Sequence, residues 1–85
     1  MTLTEIQQKI QTAIPDAEVH VLDPMQDGQH LQALVISPVF AGLPVFKQQQ
    51  MVMAAVKDIF TVVHALGLKT FTPEKWQEVK HNYVN

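Results

Sequence analysis

The side chains that could do chemistry in this sequence are its four histidines, His20, His30, His64 and His81. The chain has no cysteine, so it can form no disulfide and offers neither a thiolate ligand nor a cysteine nucleophile. It also has a single serine, no glycine-rich phosphate loop and no pair of carboxylates at helical spacing next to a histidine. We therefore expect a protein that is not an enzyme and whose reactive group is imidazole.

An imidazole in such a chain has two interpretations. Many histidines only hydrogen-bond a backbone carbonyl, whereas a neutral imidazole can also bind a metal. Two imidazoles cannot close a tetrahedral site, although an iron-sulfur cluster accepts two nitrogen ligands on one iron when thiolates complete the set. In this chain those thiolates would have to come from another molecule. We expect His20 and His81 to be solvated or packing residues.

Length and charge narrow the classes of protein. With 85 residues, residues 1–85 are expected to form a single domain with one core. The net charge is -2, with six lysines and no arginine, so no broad positive field attracts nucleic acid. No apolar run approaches the ~20 residues needed to span a bilayer, and the N-terminal residues do not resemble a signal peptide. The default expectation is a cytoplasmic protein.

The helices and strands that would position the histidines can be predicted from the pattern of apolar and polar residues. Residues 3–14 have apolar side chains at helical spacing, with a capping box from Thr2 and Glu5 and an end at Pro15. Residues 19–22 and 31–36 follow as two strands. The loop between them contains His30 and is short, which favours an antiparallel hairpin.

The residue pattern in the second half of the chain predicts a short helical turn near Pro38, a core helix, a strand and a last helix. Pro44 is placed in the first turn of the core helix. The apolar stripe of that helix is Val45, Val52, Val56 and Ile59, and the side chains expected in water are Lys47, Gln48, Gln50, Lys57 and Asp58. The third strand covers residues 61–71 and includes His64. We expect Thr72 to cap the last helix and Trp76 to be the side chain that anchors this helix.

The order of elements is α-β-β-α-α-β-α, with the short turn counted as a helix. A helical crossover makes the second and third strands parallel. The predicted fold class is therefore α+β, with a three-stranded mixed sheet covered by helices.

Four segments of the sequence resemble the BolA-like proteins over nearly the whole chain. They are Asp27-Gly28-Gln29-His30-Leu31, Ser37-Pro38-Val39-Phe40-Ala41-Gly42, Lys47-Gln48-Gln49, and residues 64–76 with His64-Ala65-Leu66 and Thr72-Pro73-Glu74-Lys75-Trp76. The Lys-Gln-Gln segment resembles the IbaG-like bacterial branch of the family.

The resemblance implies a class II K-homology-like arrangement and a metal-linked function. In the family, the residues matching His64 and His30 are ligands of a [2Fe-2S] cluster that is shared with a monothiol glutaredoxin and glutathione. The implied role is an adaptor in iron-sulfur trafficking or iron sensing. Because neutral imidazole is the form that binds metal, acidification below the ordinary titration range of histidine should weaken the cluster.

Two other functions stay open. The first is a nucleic-acid-binding or transcription-linked module that uses the K-homology-like surface. Against it, the chain has Gly42-Leu43-Pro44-Val45 where K-homology domains have a Gly-x-x-Gly loop. The second is a protein that only docks on glutaredoxin and carries no metal.

Overall fold

A computed structural model describes residues 3–57 and 65–83 of the chain. Four of the sequence-based expectations concern residues outside the described ranges: Thr2 of the capping box, Asp58 and Ile59 of the core helix, and residues 61–64 of the third strand. The elements in chain order are α1 (Leu3–Ala13), β1 (Glu18–Leu22), β2 (His30–Ile36), a 3₁₀ helix (Pro38–Phe40), α2 (Val45–Val56), β3 (Ala65–Phe71), α3 (Pro73–Val79) and a second 3₁₀ helix (Lys80–Asn82).

The three strands form one mixed sheet in the order β1-β2-β3. Strand β1 pairs with β2 in antiparallel fashion, and Val19 lies opposite Val35. Strand β2 pairs with β3 in parallel, from His30 opposite Ala65 to Ile36 opposite Phe71. The predicted hairpin, the parallel pair and the α+β fold class are therefore confirmed.

One face of the sheet packs against α1 and α2 and forms the main core. Successive strand residues point to opposite faces, so alternate positions of each strand contribute to this core. The helices supply side chains at intervals of four residues, because such residues share a helix face. Its fully buried members from outside the strands are Ile6, Ile10, Phe40, Val52 and Val56.

The opposite face of the sheet is covered by α3. Thr72 begins this helix as predicted, since its Oγ1 accepts a hydrogen bond from the Lys75 backbone N–H at 3.3 Å. Trp76 is 3% exposed and packs with Leu34 and Ile36. The indole thus anchors α3 to the sheet, as the sequence indicated. Partly buried residues around this cluster are Leu22, Phe71, Val79 and Tyr83.

The predicted stripe of α2 was wrong at two positions. Val45 is 61% exposed, whereas Gln48 is buried and shares its face with Val52 and Val56. Gln48 can be buried because its side-chain amide donates to the Phe40 carbonyl at 3.1 Å and to the Leu43 carbonyl at 2.9 Å.

The start of α2 also differs from the expectation. Pro44 is the residue before the helix and not part of its first turn. Its carbonyl oxygen accepts backbone hydrogen bonds from Lys47 and Gln48, which is how a residue at this position begins a helix. Within the described ranges, no helix is both long and apolar enough to cross a bilayer.

Candidate functional site

His30 is the first residue of β2, so the expectation that it lies within the loop was wrong. The loop ends one residue earlier because the backbone of His30 already pairs with β3, where its partner is Ala65. In the sequence Ala65 directly follows His64, which itself lies outside the described residues. His30 therefore stands at the sheet end where both parallel strands begin.

The loop before His30 is held by two aspartates. Asp23 accepts hydrogen bonds from the backbone N–H groups of Asp27 at 3.2 Å and Gly28 at 2.9 Å. Gly28 has a φ of 69° and Gln26 a φ of 53°. Glycine adopts this left-handed conformation without the steric penalty of a side chain, which lets the chain turn back toward β2.

Asp27 binds both the backbone and the ring of His30. Its Oδ1 accepts hydrogen bonds from the backbone N–H of Gln29 at 2.9 Å and of His30 at 3.0 Å. Its Oδ2 lies 2.8 Å from Nδ1 of His30. These contacts hold the pKa of the Asp27 carboxyl well below its ordinary value. The largest cause is the hydrogen bond from the His30 backbone N–H, followed by the bond from the Gln29 backbone N–H and by the contact with the His30 ring.

The pair is accessible from solvent. The side chain of His30 is 46% exposed and that of Asp27 is 34% exposed. Residues 3–57 and 65–83 contain no group of three or more histidine, cysteine, aspartate or glutamate side chains that could hold a metal ion. An exposed imidazole with one nitrogen on a carboxylate fits one ligand of a metal centre completed by other groups.

The other two described histidines lie elsewhere. His20 stacks on Trp76 with ring centroids 5.4 Å apart, and its Nε2 lies 2.6 Å from Oε2 of Glu18. His81 is exposed in the C-terminal 3₁₀ helix. His20 is thus a packing residue on the α3 face of the sheet, which is one of the two roles expected for it from the sequence.

Asp27 is the residue of this site whose role the sequence reasoning missed. A signal for it exists, because an aspartate followed by a turn commonly accepts hydrogen bonds from the N–H groups two and three residues later. Those residues are Gln29 and His30. The spacing could have predicted the two backbone contacts, but the contact with the ring depends on the rotamer of His30.

Comparison with known proteins shows which family the chain resembles. A family model described as "BolA-like protein" matches residues 3–75. The chain is 32% identical over 78 residues to the acid stress protein IbaG of Escherichia coli strain K12, covering 89% of each chain. It is 28% identical over 76 residues to the "DNA-binding transcriptional regulator BolA" of Vibrio cholerae, covering 88% of this chain and 71% of that protein.

Solved structures agree with these matches. A bolA homologue from Coxiella burnetii superposes with a TM-score of 0.75 at 30% identity, covering 91% of this chain and 97% of the other. None of these similarities indicates a catalytic family. The family match, the identity to IbaG and the shared fold together show that the chain belongs to the BolA-like protein family.

Proposed function

We propose that this protein is a cytoplasmic adaptor that binds a monothiol glutaredoxin and shares a [2Fe-2S] cluster with it for iron-sulfur trafficking or iron sensing. Residues 1–85 act as one BolA-like domain in this proposal. His64 and His30 would supply nitrogen ligands to the cluster. The cluster is cargo held between two proteins and is not a resident cofactor of this chain.

The observation that carries the proposal is the parallel register between β2 and β3. His30 is paired with Ala65, and Ala65 is covalently bonded to His64. The register therefore supports a site that draws on the first residue of β2 and on the residue preceding β3.

The composition of the chain supports the choice of partner. Iron-sulfur clusters are held mainly by thiolates, and this chain has no cysteine. A glutaredoxin cysteine and the thiol of glutathione would supply the sulfur ligands. The half-exposed ring of His30 suits a ligand that must reach a cluster carried by another molecule.

The test is anaerobic reconstitution of the protein with a monothiol glutaredoxin, glutathione, iron and sulfide. Visible absorption and circular dichroism would be recorded for the native chain and for His64→Ala, His30→Ala and His81→Ala. We expect a large spectral change for His64→Ala and a smaller one for His30→Ala. Exposed His81 serves as the matched control and should leave both spectra unchanged.

Spectra that stay identical to those of the native mixed complex in both His64→Ala and His30→Ala would contradict the proposal. In that case, size-exclusion chromatography of the same mixtures would show whether the protein still binds glutaredoxin. Retained binding would leave a docking role without metal.

A second candidate function is nucleic-acid binding, which the name of the Vibrio cholerae relative favours. The net charge of -2 and the absence of arginine oppose it, since affinity for nucleic acid depends on cations that neutralise phosphates. Fluorescence anisotropy of a random DNA duplex at low and physiological salt tests this function. Salt-dependent binding at physiological salt would support it, and no binding at low salt would exclude it.

A further inference from the structure

One carboxylate, that of Asp27, holds His30 at two separate places. Oδ1 accepts from the backbone N–H of His30 at 3.0 Å, and Oδ2 lies 2.8 Å from Nδ1 of the ring. The first contact fixes where the main chain enters β2. The second restricts rotation of the imidazole about its side-chain bonds, so the same group sets both the position and the orientation of the ring.

The contact also determines where the ring proton resides. At neutral pH an aspartate is ionised and its oxygens can only accept hydrogen bonds. Nδ1 of His30 must therefore carry a proton and donate it to Oδ2 of Asp27. In the neutral ring the lone pair is then on Nε2, which becomes the nitrogen able to bind a metal.

The loop is built to keep Asp27 in place. The Asp23 carboxylate accepts hydrogen bonds from the backbone N–H groups of Asp27 and Gly28, so the main chain on both sides of the Asp27 α-carbon is restrained. Asp27 in turn accepts the N–H groups of Gln29 and His30. The carboxylate that orients the ring is thus held by its own hydrogen bonds before any partner arrives.

We propose that Asp27 is a positioning residue that fixes His30 in the Nδ1-protonated tautomer and presents Nε2 to the iron of the shared cluster. This inference rests on the proposed function. Metal-binding histidines commonly donate their other ring N–H to a carboxylate, which orients the ring and raises its basicity. Loss of such a partner typically weakens metal affinity about 10- to 100-fold.

The first experiment needs no cluster. Long-range ¹H–¹⁵N correlation spectra of the free, ¹⁵N-labelled protein report which ring nitrogen carries the proton. We expect the native His30 to show a protonated Nδ1 and an unprotonated Nε2 at a pH where the ring is neutral. In Asp27→Asn and Asp27→Ser the spectrum should shift toward a mixture of tautomers or toward protonated Nε2.

The two variants separate loop folding from ring orientation. A serine hydroxyl can still accept the backbone N–H groups at this type of turn but cannot hold the ring in the same way. Asp16→Asn, at an exposed carboxylate in the turn after α1, is the matched control and should leave the His30 tautomer unchanged. A native tautomer that persists in both Asp27 variants would overturn the inference.

The second experiment measures cluster retention in the reconstituted complex with monothiol glutaredoxin and glutathione. Asp27→Asn should weaken retention about 10- to 100-fold. Combined with His30→Ala, it should add no further loss, because it acts only through that ring. Full retention in Asp27→Asn together with a loss in His30→Ala would overturn the role of Asp27 and leave the proposed function standing.

A different result would remove the proposed function itself. If both His64→Ala and His30→Ala retained the native cluster, the shared site would not use these imidazoles. The inference about Asp27 would then fail with it, whatever the tautomer spectra show.

Discussion

Thr70 of β3 donates its hydroxyl hydrogen to Oε1 of Gln48 in α2 at 2.6 Å. The other end of the same side chain, Nε2, donates to the carbonyl oxygens of Phe40 and Leu43. One buried amide therefore links the 3₁₀ helix, the turn before α2 and the third strand.

Replacing this amide should reduce stability. Gln48→Ala removes the side-chain partner of the Thr70 hydroxyl and of the Leu43 carbonyl, whereas the Phe40 carbonyl keeps the Leu43 backbone N–H as a donor. Loss of such partners from groups shielded from water costs about 1 to 3 kcal/mol. Urea unfolding should show a lower free energy of unfolding by that amount. Gln50→Ala, at an exposed position of the same helix, is the control and should change it by less than about 0.5 kcal/mol. Equal effects of the two variants would contradict the role of Gln48.

The stacking of His20 on Trp76 predicts a spectroscopic change. Trp76 is the sole tryptophan of the chain, so tryptophan fluorescence reports on the surroundings of this one ring, which include His20. His20→Ala should alter the emission intensity or wavelength and lower the free energy of unfolding by about 0.5 to 1.5 kcal/mol, the usual range for an aromatic pair. His81→Ala should change neither. Unaltered emission in His20→Ala would contradict the contact.

This contact also decides which histidine suits the reconstitution experiments as a control. A variant at His20 removes a packing interaction with α3, so its effects would mix stability with metal binding. His81 is exposed and lies in the last 3₁₀ helix, which makes it the cleaner control.

The lowered pKa of Asp27 predicts a pH-dependent contribution to stability. Its folded-state pKa lies below its unfolded value, so ionised Asp27 stabilises the fold above the unfolded pKa of about 3.9. That contribution is lost as the pH falls below this value. The native chain should therefore be more stable than Asp27→Asn at about pH 5, with a smaller difference at about pH 3.

Urea unfolding of both proteins at the two pH values checks this prediction. The sign of the change is the decisive observation. A difference between native chain and Asp27→Asn that grows as the pH is lowered would mean that the hydrogen bonds to the ionised carboxylate do not stabilise the folded loop.

Replacing Gly28 and Gly67 by alanine should have different effects on the stability of the protein. Gly28 has a φ of 69°, where an added Cβ is strained, so Gly28→Ala should destabilise the protein by about 1 to 2 kcal/mol. Gly67 lies in β3, and its nearest neighbours to an added Cβ are the Leu31 carbonyl oxygen at 3.7 Å and Gln32 at 4.0 Å, which is ordinary contact. Gly67→Ala should be neutral or slightly stabilising. Thermal unfolding of both variants measures the contrast, and an equal loss in both would refute it.

Local patterns account for most of the predicted elements. The apolar spacing of α1, the proline after it, the Thr72-Pro73 start of α3 and the helical crossover before β3 act between near neighbours in the chain. They therefore predicted the order of elements and the mixed sheet. The same reasoning failed at Gln48, because its burial depends on the carbonyls of Phe40 and Leu43 and on the hydroxyl of Thr70, which is 22 positions away.

By itself, the sequence determined that any iron-sulfur role of this chain must rely on imidazole and on sulfur from another molecule, and its motifs pointed to His64 and His30. Only the tertiary structure decided that His30 begins a strand opposite Ala65 and that Asp27 holds its ring. The reason is physical. Residue type and local spacing are properties of the chain, whereas strand register and side-chain rotamer result from packing and hydrogen bonds formed when distant segments meet.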